Sequence, residues 1–307
     1  MKILITEFME ANSINMLKSF FEVTINNNLS ANTNELKKII KNYDALIVRN
    51  KTQVNKEILE NASNLRFVGR LGVGLDNIDI EYCKNNNIHV QAATGMNADS
   101  VAEYVINNSL SLLKNITLIH KETLIGNWPR TLISSRELKG KTIGLLGFGL
   151  IARKVSILAK TFNAQIIAYD PYVDQSKGDE FDIKLVDINE ILKLSDIISI
   201  HLPLTESTKN FINYEAFKKM SKQPIIINSS RGTIINEEDL LKAYDEKLIS
   251  GFALDVYDKE PVKKSFLNRI QNNTNCILTP HIAGITQESN TRVSEFIANA
   301  LREFFKI

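Results

Sequence analysis

Short apolar runs alternate with segments of helical period along the whole chain. In residues 1–95 the runs KILIT, FEVTI, ALIVR, RFVGR and IHVQA read as strands, and helical spacing falls near 11–20, 32–41, 54–60 and 77–86. Strands alternating with helices point to a parallel sheet covered on both faces. Residues 98–120 read as one long amphipathic helix, with Ser100-Val101-Ala102-Glu103 as its capping box. A second alternating series starts at Gly140, with candidate strands TIGLL, QIIAY, IKLV, IISIH, PIIIN, SGFALD and NCILTP. The segment 286–305 is helical (Val293, Phe296, Ile297, Ala300, Leu301) and follows the last strand, so it is free to pack back on the first unit. The pattern predicts a smaller domain of residues 1–97 plus 282–307, with a larger doubly wound domain, 98–281, inserted in it. A ligand is expected in the cleft between them.

The first strand of the second series runs into Gly147-Phe148-Gly149-Leu150-Ile151-Ala152, then into a helix, and the next strand ends on Asp170. That order is what a dinucleotide site requires. Gly147 permits the tight turn and Gly149 lets the backbone approach a pyrophosphate. The small Ala152 lets the helix pack closely on the strand. The N–H groups at the helix start would face the phosphates, and Asp170 would accept from the ribose hydroxyls. No basic residue follows Asp170 until Lys177, which favours NAD over NADP.

Composition narrows the class. The chain has 307 residues and a net charge of +2, so neither nucleic acid nor an acidic membrane is an expected partner. No apolar run is long enough to span a bilayer. The two cysteines, Cys83 and Cys276, lack metal-type spacing, and no metal site is expected. Few cysteines and no signal-peptide pattern suggest the cytoplasm.

Chemistry is expected at the carboxyl ends of the parallel strands. Of four histidines, His89 and His120 read as structural. His201, in HLPLT after a strand, reads equally as a cofactor contact or a turn residue. His281, between Pro280 and Ala283-Gly284 at a strand end, is the favoured acid/base. Arg231 follows the buried run PIIIN, and Glu260 follows the strand in ALDVYDKEP. Alone, each reads as an ordinary loop residue. Together they follow different strands of one parallel sheet and can converge over one crevice.

These segments carry a resemblance. GRLGVGLDNIDI, SVAEYVI, GKTIGLLGFGLIA, HLPLT, INSSRGTIINEEDL, FALDVYDKEP and LTPHIAG, in that order, resemble the D-isomer-specific 2-hydroxyacid dehydrogenases over nearly the whole length. The resemblance implies an α/β fold of two doubly wound parallel-sheet domains, a Rossmann NAD domain inserted in a smaller flavodoxin-like substrate domain. It also implies roles. His281 would be the general acid/base. Glu260 would hydrogen-bond it and favour its protonated form, and Arg231 would bind the substrate carboxylate and carbonyl oxygen. Leu150 and Ile151 would offer backbone N–H groups to the pyrophosphate, and Leu202 and Pro203 would flank the adenosine side, with His201 as a further cofactor contact. Ser229, Arg231 and Asp255 would lie near the nicotinamide, Asp255 accepting from its carboxamide, and Ser230 and Gly284 would be further cofactor contacts. Val73 and Gly74 would offer N–H groups to the substrate carboxylate.

Arg49, Arg70 and Arg130 resemble arginines that bind a second anionic group in phosphoglycerate dehydrogenases, and GRLGVGLDNID, ATGMNADSVAEYVI and WPR also resemble sulfolactate dehydrogenases. A dianionic 2-hydroxy acid is therefore the expected substrate, with surface solvation as the bland alternative for these arginines. The resemblance further suggests a homodimer through the long helix and the loop at Trp128. It suggests no C-terminal regulatory domain, since the chain stops soon after its closing helix. Competing expectations are a hydroxypyruvate or glyoxylate reductase, a formate dehydrogenase-like enzyme (disfavoured by Glu260), and a NAD(H)-sensing corepressor-like binding protein.

Overall fold

In the computed structural model, which describes residues 1–131, 134–270 and 275–307, the chain forms two units: residues 1–97 with 285–307, and residues 98–284. The first holds a five-stranded sheet of β1 (Lys2–Ile5), β2 (Glu22–Ile25), β3 (Ala45–Val48), β4 (Phe67–Arg70) and β5 (His89–Ala92). Every pairing is parallel, in the order β2-β1-β3-β4-β5. Successive residues Ile3, Leu4 and Ile5 are all buried because alternate side chains enter different cores. Leu4, Leu46 and Val68 face one core. Ile3, Ile5, Ile47 and Phe67 face the other, which Val293, Ile297 and Leu301 of the helix Gln287–Phe304 complete. Thr286 starts that helix in a capping box with Ser289.

The second unit holds β6 (Thr142–Leu146), β7 (Gln165–Tyr169), β8 (Lys184–Leu185), β9 (Ile197–Ile200), β10 (Ile225–Asn228), β11 (Gly251–Leu254) and β12 (Cys276–Leu278). All seven are parallel, in the order β12-β11-β10-β9-β6-β7-β8. The order reverses between β6 and β9, the switch point outside which such sheets bind ligands. Both sheets carry the expected doubly wound α/β architecture. Ile282, Ala283 and Gly284 go with this second unit, and their neighbourhood holds them there: the N–H groups of Ile282 and Ala283 donate to Asp255.

One expected element is different. The helix over 98–120 is two helices, Ala98–Leu113 and Ile116–Leu124. Asn115 sits between them at φ 55°, a left-handed conformation that asparagine tolerates, and its amide donates to the Ser134 carbonyl at 3.0 Å. The apolar spacing runs on through the break, but the second helix buries none of its residues. His120 lies inside that helix, not at the end of a long one. Ser100 is no N-cap: it is buried within the first turn of Ala98–Leu113, so the capping-box spacing there is coincidental.

Candidate active site

The glycine turn follows β6. Gly147 has φ +90°, and a Cβ on it would lie 2.8 Å from the His201 carbonyl oxygen, so the turn excludes any side chain. Gly149 precedes the helix Leu150–Thr161, whose start no side chain caps. A Cβ on Gly149 would meet no atom within 4 Å. Ala152 is fully buried, in keeping with close helix–strand packing. Asp170, past β7, turns its carboxylate to this loop: Oδ2 accepts the Phe148 N–H and Oδ1 the Tyr172 N–H, both at 2.9 Å. The acid that suggests a ribose ligand thus also braces the glycine turn. One bond on each oxygen leaves acceptor capacity for hydroxyls.

After β9, the imidazole of His201 meets the buried Ser199 hydroxyl at 2.9 Å, and burial pushes its pKa down to about 4. The ring is neutral at physiological pH. Leu202 departs from the expectation in one respect. Its side chain is in the hydrophobic core, so only its backbone is available to a nucleotide, whereas Pro203 is exposed.

The loop after β10 is clamped by a residue that the motif analysis overlooked. Asn228, fully buried, accepts from the N–H and hydroxyl of Ser230 and donates to the Arg231 carbonyl at 2.9 Å. Its signal was available: a carboxamide closing a run of three isoleucines must find partners in its own turn. The Arg231 guanidinium donates to the Ser230 carbonyl at 2.7 Å. Gly232 then packs against the backbone of Tyr257, where a Cβ would be 1.9 Å from the carbonyl carbon. The Arg231 loop is thereby seated on the loop that carries Glu260. The buried Ser229 hydroxyl has no hydrogen-bond partner among the described residues.

Glu260 and His281 are brought together. His281 Nδ1 lies 2.8 Å from Glu260 Oε2, and Glu260 Oε1 accepts the Tyr257 N–H at 3.3 Å. A carboxylate only accepts, so Nδ1 carries a proton and Nε2 is the nitrogen left for chemistry. His281 has φ +58°, a conformation that costs a non-glycine residue about 1–2 kcal/mol. Asp255 holds it there. Its carboxylate, 1% exposed, accepts from the Thr279 hydroxyl (2.6 Å) and from the N–H groups of Ile282 (2.8 Å) and Ala283 (2.7 Å). Three donors from its own unit reach this carboxylate, expected to face a carboxamide, and Oδ2, with one bond, keeps acceptor capacity. Gly284 follows directly and ends the unit.

In the first unit, Glu7 sits past β1 and accepts the N–H groups of Arg49, Lys51 and Thr52 past β3. The partly buried Arg49 guanidinium donates to Asn290 Oδ1 at 2.6 Å, and no carboxylate lies within 4 Å of it among the described residues. Burial lowers its pKa, with Glu7 and then Glu10 opposing. Arg70 folds back over Gly72 and donates to the Leu71 carbonyl. Val73 is exposed and Gly74 partly so. In the second unit Arg130 is exposed, its N–H on the Trp128 carbonyl.

The glycine turn, the uncapped helix start, the Asp170 carboxylate and the unpartnered Ser229 hydroxyl fit a dinucleotide. Comparisons with known proteins agree. Residues 106–283 match the family described as D-isomer specific 2-hydroxyacid dehydrogenase, NAD binding domain. The chain is 37% identical to (S)-sulfolactate dehydrogenase of Chromohalobacter salexigens, over 98% of this chain and 97% of that protein. It is 35% identical to D-3-phosphoglycerate dehydrogenase of Archaeoglobus fulgidus over 97% of this chain, and spans only 56% of that protein's length. Among solved structures, D-lactate dehydrogenase from Aquifex aeolicus, complexed with NAD and lactic acid, superposes with a TM-score of 0.88 at 26% identity, covering 100% of this chain and 96% of that one.

Proposed function

Because this chain belongs to the D-isomer specific 2-hydroxyacid dehydrogenases, NAD-dependent oxidoreductases acting on a CH–OH group, we propose that it interconverts a 2-oxo acid and its 2-hydroxy acid with His281 as acid/base, on a substrate bearing a second anionic group. The observation that carries the reaction is the His281–Glu260 pair, with Nδ1 committed at 2.8 Å and Nε2 open. In the reductive direction Nε2–H gives its proton to the 2-oxo oxygen; in the oxidative direction neutral Nε2 takes the hydroxyl proton. Glu260 orients the ring and faces the positive charge of its protonated form. Arg231 binds the carboxylate and polarises the carbonyl, as a guanidinium fork suits both. Val73 and Gly74 are assigned N–H contacts to the same carboxylate. Leu150 and Ile151 hold the pyrophosphate, Asp170 the ribose, and Ser229 the nicotinamide side. Bound NADH supplies the hydride.

The second anionic group rests on Arg49. A partly buried guanidinium whose only side-chain hydrogen bond among the described residues is to a neutral amide has charge left for a visiting anion. The same bond favours the second reading, hydroxypyruvate or glyoxylate reduction: Arg49 tied to Asn290, and Arg70 folded on its own loop, would leave a monoanionic substrate. Initial rates with NADH against sulfopyruvate, phosphohydroxypyruvate, hydroxypyruvate, glyoxylate and 2-oxoglutarate decide. Higher kcat/KM for the dianions supports the proposal, and a preference for glyoxylate or hydroxypyruvate overturns it. No turnover of any 2-oxo acid would favour a NAD(H)-sensing protein.

We further assign a homodimer. Ile116, Leu124, Ile125 and Trp128 are 53–80% exposed on one helix and the loop after it, an apolar surface that a second copy would cover. Light scattering checks it. No helix among the described residues is long and apolar enough to cross a membrane.

A further inference from the structure

We propose that Tyr104 is a positioning residue for His281, acting through Thr279 and Asp255. The inference rests on the assignment of His281 as acid/base. Tyr104 lies on the helix Ala98–Leu113, within the segment SVAEYVI, to which the sequence assigns no catalytic role, and its phenol oxygen is 2.6 Å from the Thr279 hydroxyl. Thr279 has one hydroxyl proton, and the Asp255 carboxylate, which only accepts, takes it at 2.6 Å. Tyr104 must therefore be the donor to Thr279. The direction is fixed all the way: Tyr104 O–H to Thr279 O–H to Asp255, with the N–H groups of Ile282 and Ala283 arriving at the same carboxylate.

Those three donors to Asp255 come from both sides of His281, one at position 279 and two at 282 and 283. Asp255 is a staple across the residue with the unfavourable backbone conformation, and Thr279 is its near leg. Tyr104 polarises that leg, since a hydroxyl that accepts one bond donates a stronger one. Tyr257 fastens the same segment from the opposite side, its phenol donating to the Thr279 carbonyl at 3.0 Å. Burial pushes the Tyr104 phenol up to about 12, so it keeps its proton as the donor role requires.

The test is single-turnover hydride transfer, followed by loss of NADH absorbance with excess 2-oxo acid. Tyr104→Phe keeps the ring and removes the bond, and is expected to slow the step about 5-fold, the equivalent of one hydrogen bond, without raising the KM for the 2-oxo acid or the Kd for NADH. Thr279→Val should slow it more, Thr279→Ser less than Thr279→Val, and Tyr104→Phe should add nothing in a Thr279→Val background. Tyr104→Phe should likewise add nothing to the residual rate of His281→Ala, because its effect passes through that ring. An unaltered rate in Tyr104→Phe overturns the inference, as does a 5-fold loss that persists in the His281→Ala background. A near-normal rate in His281→Ala would instead overturn the assignment of the acid/base, and the inference with it.

Discussion

Replacing Gly232 with alanine is the sharpest probe of how the site is assembled. The glycine sits one residue past Arg231, and a Cβ there would be 1.9 Å from the Tyr257 carbonyl carbon, 2.1 Å from its oxygen and 2.5 Å from its Cα. All three are backbone atoms, so no rotamer relieves the contact. Reaching an ordinary 3.4 Å separation requires the two loops to part by about 1.5 Å (3.4 − 1.9). One loop carries Arg231 and the other Glu260, which holds His281 at 2.8 Å. A misplacement of about 1 Å can cost on the order of 10²-fold in rate. Gly232→Ala is therefore expected to lower kcat/KM with the best 2-oxo acid by about 10²-fold, equivalent to about 2.7 kcal/mol of transition-state stabilisation. Overpacking should also lower stability by about 1–3 kcal/mol. Steady-state rates by NADH absorbance, with urea unfolding of the same samples, give both numbers. A variant within threefold of wild type in kcat/KM, and equally stable, would refute the idea that these loops are in register because nothing separates them at Gly232.

Gly149→Ala makes the opposite contrast. Its Cβ meets nothing in the protein, so unfolding should be unchanged while the Kd for NADH rises about tenfold or more; an unchanged Kd, read by NADH fluorescence, would place the pyrophosphate elsewhere. His281→Ala should lower kcat by about 10²–10⁴-fold, and near-normal turnover would remove that ring from the acid/base role. His201 predicts a pH effect on stability. Its folded pKa of about 4 lies below the ordinary histidine value of 6.5, so the unfolded chain binds the extra proton first. The contribution of the neutral ring is complete above pH 6.5 and is lost as pH falls towards 4, to a limit of about 3 kcal/mol. Urea unfolding from pH 7.5 to 4.5 should show a smaller decline in His201→Gln; parallel declines would sink the claim.

The strands and the glycine turn were legible in the chain because they are local. Runs such as Ile225-Ile226-Ile227 announce burial on both faces, and Gly147 to Asp170 lie within a single strand–helix–strand unit. The apolar period through 98–120 misled for the same reason. Periodicity reports which residues are apolar, not whether a core awaits them, and beyond Asn115 none does. Glu260 and His281 were found as strand-end residues and matched motifs, but their bond joins positions 21 apart, which no window of spacing contains.

By itself, then, the sequence determined two parallel sheets, a glycine turn before a helix, an acid after the next strand, and a histidine, a glutamate and an arginine at strand ends. Only the tertiary structure decided what those groups lean on. Tyr104 meets Thr279 across 175 positions, Arg49 meets Asn290 across 241, and Asp255 gathers donors from 24 to 28 positions away. Parallel strands need long crossovers, so side chains that share a sheet edge are distant in the chain. Their hydrogen bonds obey donor count and distance, which the order of residues does not encode.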